Sequence, residues 1–249
     1  MEKLKKQTKQ FRNEWKYRVQ ETDLAVIENR LAAVMELDSH SGQNGNYTIH
    51  SLYFDDYQES CANETEVGVW YRYKYRIRYY GYDPGFLRLE RKEKINGRCH
   101  KDSVLISDDI YNRIMEGRPE EIYWQTNNAM LKRFCVNMMT RFFSPRVIID
   151  YERTAYVEQI TNVRVTLDKN ISVSDSTGDF LSGDYLRYPI QQKSEHVLEV
   201  KFDNILPGYI KNIITNKCLR QLSFSKYYLG RLRLRETNNM DRAHGGYWR

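Results

Sequence analysis

Charged side chains recur at every second position along several segments, and they are the residues of this chain best suited to chemistry. Between Arg72 and Arg78 every second residue is basic, and between Arg88 and Lys94 every second residue is charged. Because successive side chains of a β-strand point to opposite faces, each set would share one face of a strand. The remaining face of each segment is largely apolar or aromatic, which is typical of a strand that packs against a core.

Glutamate and a basic residue are paired two positions apart in other predicted strands as well. Glu14 precedes Lys16, and Glu199 precedes Lys201. A solvated outer face is the ordinary explanation for one such strand. Repetition of the pairing from strand to strand instead favours a sheet that closes on itself, with its charged faces lining a lumen.

A lumen rich in cations suits a polyanionic ligand. Like charges repel at short range, and each buried charge loses hydration, so the lumen needs negative partners. Arginine offers bidentate donors to phosphate oxygens, and lysine offers a compact positive charge. The few carboxylates would be misplaced beside an anion unless they hold a divalent cation, for which hard oxygen ligands favour Mg²⁺ or Mn²⁺.

These faces require a sheet-rich chain, and hydrophobic periodicity predicts an α+β fold. We expect one closed antiparallel β-barrel of about eight strands, with the helices over 21–37 and 120–142 packed outside it. Residues 1–235 would form one domain, followed by a loose polar tail over 236–249, and Thr22 would cap the first helix. Strands are predicted at 9–19, 47–55, 69–80, 86–95, 99–107, 145–158, 162–168, 170–174 and 195–203. Helices are predicted at 21–37, 108–117, 120–142 and 207–219, and an acidic loop at 56–68.

Composition and motifs exclude several classes of protein. The 249 residues carry a net charge of +6 and are 41% hydrophobic, which is typical of a globular protein. No apolar run is long enough to span a bilayer, and the N-terminus lacks a signal-peptide pattern, so we expect a cytoplasmic protein. The four cysteines form no CxxC pair and are predicted to be free thiols: Cys61, Cys99, Cys135 and Cys218. Neither zinc-binding histidine spacing nor a nucleotide-binding glycine loop is present.

Eight short motifs resemble one known family, in the order in which that family has them. They are FRNEWKY at 11–17, YTIHSLYFDD at 47–56, KYRIRYYG at 74–81, LERKEK at 89–94, DYERTAY at 150–156, VRVTLD at 163–168, VLEVKF at 197–202 and FSKYYLG at 224–230. The chain resembles the VTC domain (vacuolar transporter chaperone type) polyphosphate polymerases of the CYTH-like, or triphosphate tunnel metalloenzyme, superfamily. This resemblance implies a phosphotransferase that adds the γ-phosphate of ATP to a growing inorganic polyphosphate chain with Mn²⁺ or Mg²⁺.

The resemblance also implies roles for individual residues. Four basic residues would neutralise the reacting phosphates: Arg76, Arg78, Lys92 and Arg153. Further residues would bind the substrate or product: Lys16, Lys101, Tyr151, Arg164, Lys201 and Lys226. Glu199 would be the main metal ligand, with Glu14 and Glu90 near the metal or beside the lysines. ATP and polyphosphate or pyrophosphate are the expected ligands, nucleic acid is not expected, and family analogy suggests a separate membrane partner.

Two departures from the family pattern keep other functions open. The ExExK motif of the hydrolytic branch reads Arg12, Glu14, Lys16 here, which disfavours a tunnel triphosphatase. Ser223 stands where the polymerase branch has a lysine, which leaves a non-catalytic polyphosphate-binding module as a further alternative. The basic strand at 74–80 is also compatible with RNA binding through charge and stacking.

Overall fold

A computed structural model describes residues 10–42, 45–215 and 219–244. Within these ranges the chain is an α+β protein with one ten-stranded sheet. The strands are β1 (Asn13–Gln20), β2 (Glu36–Leu37), β3 (Asn46–Asp55), β4 (Tyr71–Tyr80), β5 (Leu87–Ile95), β6 (Arg98–Ile106), β7 (Ser144–Glu158), β8 (Val163–Ser174), β9 (Tyr188–Pro189) and β10 (Glu195–Phe202). The helices are α1 (Glu21–Ala32), α2 (Ser60–Val67), α3 (Asp108–Met115), α4 (Pro119–Gln125), α5 (Ala129–Arg141), α6 (Gly208–Ile214) and α7 (Lys226–His244), with a 3₁₀ turn at Thr177–Asp179.

The sheet is antiparallel and has two free edges. Its main path runs β1-β10-β8-β7-β3-β4-β5-β6, while β2 pairs with β7 and β9 pairs with β8. Among the described residues, the backbone pairing between the two edges is an isolated bridge from Arg12, just before β1, to Cys99 of β6, whose two N–H···O bonds measure 2.8 and 2.9 Å. The prediction of a fully closed barrel is therefore wrong. Past this bridge, an ion pair between Lys92 of β5 and Glu14 of β1 spans the opening in place of a backbone ladder.

Helices cover the apolar faces of the sheet, as the sequence predicted. Phe134 of α5 packs in a buried cluster with Tyr75 of β4. A second buried cluster contains Ile27 of α1, Val165 of β8 and other strand residues. Burial of these faces is the main source of stability for both layers, and it leaves the charged faces turned the other way.

Several element boundaries differ from the prediction. The first helix begins at Glu21 after Gln20, so Thr22 is not its cap, and it ends at Ala32. The predicted helix over 120–142 is two helices, because Asn128 accepts hydrogen bonds from Met130 N and Leu131 N and starts α5. The strands predicted at 162–168 and 170–174 are one strand, β8.

The acidic segment predicted as a loop at 56–68 contains helix α2. The buried carboxylate of Asp55 accepts hydrogen bonds from Cys61 N at 2.9 Å and Ala62 N at 3.2 Å. These contacts satisfy backbone groups that the first turn of a helix leaves unpaired. Because the capping residue lies in the preceding strand, the local sequence does not show the helix start.

The C-terminal segment is helical where a loose tail was predicted. Helix α7 continues to His244, and residues 245–249 lie outside the described ranges. Cys61, Cys99 and Cys135 are buried free thiols as predicted, whereas Cys218 lies outside the described ranges. Among the helices of the described residues, none is both long and apolar enough to cross a membrane.

Candidate functional site

All eight main strands line one cavity of about 1050 Å³: seven contribute charged side chains, and β3 contributes Tyr47 and Tyr53. The start of α7 contributes to the same wall through Lys226 and Tyr227. Twelve of the residues singled out in the sequence lie on this wall: Glu14, Lys16, Arg76, Arg78, Lys92, Lys101, Tyr151, Arg153, Arg164, Glu199, Lys201 and Lys226. The remaining one, Glu90, is fully buried and pairs with residues of the wall. The strand alternation read from the sequence thus brings these side chains together, while their functional roles stay predictions.

Glu14 and Glu199 converge on Lys16 at one side of the cavity. The Nζ atom of Lys16 lies 3.1 Å from Oε1 of Glu14 and 3.5 Å from Oε2 of Glu199. Lys92 Nζ contacts both carboxylate oxygens of Glu14, at 2.8 and 2.7 Å, and Lys201 Nζ lies 2.6 Å from Glu199. The register explains the convergence, because Lys16 is directly opposite Glu199 in the β1–β10 pair.

These contacts shift the titration of both carboxylates. Burial and Glu199 would raise the pKa of Glu14, but Lys92 and Lys16 outweigh them and hold that pKa well below its usual range. Burial would also raise the pKa of Glu199, but Lys201 and Lys16 outweigh burial and hold that pKa well below its usual value. Both groups are therefore anionic at neutral pH and can act as ligands for a cation.

Glu90 forms a separate cluster with the basic residues beside it. Its Oε2 atom accepts from Nε of Arg76 at 2.7 Å, and its Oε1 atom accepts from Nζ of Lys101 at 2.7 Å. Arg78 lies 3.8 Å away. Burial would raise the pKa of Glu90, but Arg76 and Arg78 hold it well below its usual value. The structure does not bring Glu90 together with Glu14 and Glu199, and its contacts favour a role in positioning the arginines.

Asp168 is a third buried anion, and the sequence analysis did not single it out as a site residue. Arg153 donates to it through Nε at 2.6 Å and Nη2 at 2.8 Å, and Lys226 Nζ donates to the same carboxylate. It lies on the same strand face as Arg164, since the two are four residues apart in β8. The even spacing between Arg164 and Asp168 was the signal available in the sequence, because any carboxylate on a basic strand face is a candidate counter-ion.

Hydroxyl groups complete the wall around the two central arginines. Arg78 donates to Tyr151 OH at 2.9 Å and to Ser51 Oγ at 3.0 Å, and Arg76 donates to Tyr53 OH at 2.8 Å. Burial would raise the pKa of Tyr53, but Arg76 and Arg78 lower it to about 8. Tyr53 is a second residue that sequence reasoning missed, since an isolated tyrosine in a strand carries no distinguishing signal.

Arg164 also lines the cavity, as do Arg12 and Ser223, the two residues that depart from the family pattern. Arg164 pairs with Asp38 and donates to Tyr47 OH at 3.1 Å. Arg12 lies on the wall but its Nε is 2.7 Å from Asp203, so it points to a partner of its own. Ser223 also lies on the wall.

The carboxylates that converge fit a hard divalent cation. Mg²⁺ is commonly held by one or two carboxylates together with phosphate oxygens and water. Glu14 and Glu199 supply such a pair beside the basic residues that would face the phosphates. A different group, Glu93 with His100 and Asp102, also brings three possible metal ligands together. Because Glu93 already pairs with Arg91 at 2.5 Å, on the strand face opposite Lys92, it has no place in this site.

Comparisons with known proteins agree with the sequence motifs. The family model described as VTC domain matches residues 11–235. The Hippeastrum protein HpAC1, described as a candidate adenylyl cyclase with a dominant triphosphatase activity, is 14% identical, with 89% of this chain and 95% of that chain covered and a TM-score of 0.53. A candidate adenylate cyclase from Bacillus halodurans is 10% identical, with 93% and 90% covered and a TM-score of 0.46. No curated protein matches the chain. The likeness to HpAC1 shows a shared fold.

Proposed function

The chain belongs to the VTC domain family and has the fold of CYTH-like triphosphate tunnel proteins, and from this premise we propose that it is a polyphosphate polymerase. It would transfer the γ-phosphate of ATP to the end of an inorganic polyphosphate chain. The observation that carries this proposal is one cavity lined by basic side chains from seven of the eight main strands. A donor and an acceptor that are both polyanions need such a site to approach each other.

The proposed reaction is an in-line phosphoryl transfer. A terminal oxygen of the acceptor chain attacks the γ-phosphorus of ATP, the bond from that phosphorus to the β-phosphate oxygen breaks, and ADP leaves. Negative charge spreads over the equatorial oxygens in the transition state, so positioning and charge stabilisation supply most of the catalysis. No nucleophile from the protein is needed.

Four basic residues would carry the charge stabilisation: Arg76, Arg78, Lys92 and Arg153. Glu90 forms ion pairs with Arg76 and Arg78, and Asp168 forms an ion pair with Arg153. Such support keeps each guanidinium oriented before the substrate arrives, which is the condition for electrostatic preorganisation. Lys16, Lys101, Tyr151, Arg164, Lys201 and Lys226 would bind the remaining phosphates.

Glu199 and Glu14 would hold the divalent cation, Mn²⁺ or Mg²⁺. When bound, such an ion neutralises charge on the donor phosphates and orients them. The two glutamates keep their anionic form because the lysines around them lower their pKa values. We retain Glu90 as a less favoured ligand, because it pairs with Arg76 and Lys101 apart from the place where Glu14 and Glu199 converge on Lys16.

One assay separates polymerisation from its alternatives. Purified protein is incubated with ATP and Mn²⁺, and the products are resolved by gel electrophoresis and by release of orthophosphate. Long polyphosphate would support the polymerase. Orthophosphate without polymer would support a tunnel triphosphatase, which the activity described for the Hippeastrum protein makes the second candidate. Thermal stabilisation by polyphosphate without turnover would support a binding module, for which Ser223 in place of a lysine is the motivating residue.

The setting of this activity is proposed from the sequence. We infer a cytoplasmic protein with residues 1–235 as one domain, and ATP with polyphosphate or pyrophosphate as its ligands. By family analogy a separate membrane protein would receive the polymer. The basic faces point into the cavity, which disfavours nucleic acid as a ligand.

A further inference from the structure

Three basic residues at one end of the cavity lack the carboxylate partners that the other lysines have. Lys16, Lys92 and Lys201 each contact a glutamate. Lys74, within the described part of the chain, makes no ion pair: its Nζ donates to Ser225 Oγ at 2.9 Å and lies 5.1 Å from the ring centre of Tyr227. Arg72, which donates to Val69 O at 2.7 Å, and Lys94 also make no ion pair within the described residues.

The strand register places these like charges against each other. Arg72 is directly opposite Lys94, and Lys74 is directly opposite Lys92, in the β4–β5 pair. Like charges in directly opposed positions destabilise a sheet unless an anion lies between them. Burial lowers the pKa of Lys74 to about 8 and also lowers that of Lys94, in agreement with a shortage of negative charge around both.

The start of helix α7 faces the same end. Ser225 Oγ accepts from Tyr228 N at 3.3 Å and from Lys74, so this hydroxyl connects the helix end to the basic strand. The N-terminus of a helix carries a partial positive charge that favours anions. Hydroxyls of Thr65 and Ser223 line the cavity at this end, and the exposed Glu66 lies on the wall of the adjoining smaller cavity.

The cavity also continues at this end. A second cavity of about 460 Å³ shares four wall residues with the first: Thr65, Arg72, Lys94 and Ser223. A chain-like ligand that fills the main cavity can therefore extend past Arg72 and Lys94. A compact triphosphate has no need of this extension.

We propose that Arg72, Lys74 and Lys94 form a second anion subsite that binds a stretch of inorganic phosphate chain without a metal ion. The choice of a phosphate chain as the ligand rests on the proposed function. In the carboxylate-bearing part of the cavity, near Glu14 and Glu199, phosphates would bind together with a divalent cation. In the second subsite the protein supplies all of the positive charge, so a chain would remain held there as its other end reacts.

The test compares two ligands at equilibrium. Long-chain inorganic polyphosphate is titrated in the presence of EDTA, and ATP is titrated in the presence of Mn²⁺, with Lys74→Gln, Lys94→Gln and the double variant. We expect the double variant to lose about tenfold in affinity for the polyphosphate, equal to one or two charge-assisted contacts, and less than about twofold for ATP with Mn²⁺. Lys132→Gln on α5, which removes the same charge away from the cavity wall, should change neither affinity.

Two outcomes would overturn the proposal. One is an unchanged polyphosphate affinity in all three variants, and the other is an equal loss for both ligands, which would indicate a general charge effect. Thermal melting checks that each variant folds. If Lys74→Gln does not fold, the single variant Lys94→Gln at the cavity end provides the test on its own. Since the measurement needs no turnover, a protein that binds polyphosphate through Lys74 but makes no polymer would keep this subsite and refute the polymerase.

Discussion

At the scale of single residues, Glu199 is the group whose loss separates metal use from anion binding. In Glu199→Ala we expect metal-dependent turnover to fall by about 10²-fold or more, because a main cation ligand and its charge are gone. Metal-free binding of tripolyphosphate should persist, since Lys16 keeps its contact with Glu14 and the arginines of the cavity keep their charge. Enzyme kinetics with Mn²⁺ and calorimetry in EDTA provide the two readouts.

Glu195→Ala is the matched control for that variant. Glu195 lies on the same strand, β10, and its contact is with the half-exposed Arg18 at 3.7 Å. Activity of this control should stay within about twofold of the wild type, as for other surface pairs. Unchanged activity in Glu199→Ala would remove the metal assignment made for that residue.

Lys74 should give phosphate binding a pH dependence near its own pKa. Its pKa is lowered to about 8 by burial, so the ammonium loses its proton as the pH rises through that value. Metal-free polyphosphate affinity should then fall several-fold between about pH 7 and about pH 9, whereas a lysine with its ordinary pKa would stay charged across this range. Lys74→Arg keeps its charge throughout and should show a smaller fall. An identical fall in both proteins would assign the effect to other groups, Lys201 and Tyr53 first among them.

Residue-level prediction from the sequence succeeded where strand parity applied. The basic residues between Arg72 and Arg78 share the cavity wall, as their spacing predicted. The same parity already placed Asp168 and Lys74 on charged faces, but only three-dimensional pairing shows which cation has a counter-ion and which has none. Pairings across strands depend on register, and register is set by tertiary packing and turns rather than by one strand's sequence.

At the scale of elements, helix α7 approaches the sheet closely through Gly230. A Cβ atom at this position would lie 2.6 Å from Cδ1 of Ile149 and 3.1 Å from Cγ2 of Val173. Gly230→Ala should therefore push the helix away and lower the free energy of unfolding by about 1–3 kcal/mol. Polyphosphate affinity should fall as well, because Ser225 and Lys226 at the start of this helix would move with it.

Chemical denaturation and polyphosphate titration measure both effects of that change. Gly178→Ala is the control, since an added Cβ there meets no atom within 4 Å. A Gly230→Ala protein with wild-type stability would show that the helix can shift freely on the sheet. The apolar residues between 223 and 234 fit a strand and a helix nearly equally, so their spacing does not predict which element forms there.

At the scale of the whole molecule, ligand binding should raise stability substantially. Basic side chains from seven strands, and tyrosines from the eighth, face one cavity, so a bound polyanion would connect both edges of the sheet. Tripolyphosphate at about 100 times its dissociation constant should increase the free energy of unfolding by about 2.7 kcal/mol. Thermal melts at constant ionic strength give this value, with sodium sulfate as the control for general salt effects. A shift equally large in sulfate would argue against a specific phosphate site.

The fold class could be predicted from the sequence, but the closure of the sheet could not. Alternation of charged and apolar residues determines which faces are buried, and the helices cover the apolar faces as expected. Whether β1 and β6 pair along their length depends on twist and on the side chains between them. Here the two edges pair at the isolated Arg12–Cys99 bridge, and the side chains of Lys92 and Glu14 lie between them beyond it.

Under the proposed function, the internal ion pairs of the cavity would affect how a polymer leaves it. Glu14, Glu90, Asp168 and Glu199 already take the positions that phosphate groups would otherwise occupy beside the lysines and arginines. Beside these four carboxylates an incoming phosphate exchanges with a carboxylate, and its affinity there is only the difference between two similar pairings. A protein that binds by such exchange would contact a long anion at many points and still allow the anion to move along the cavity.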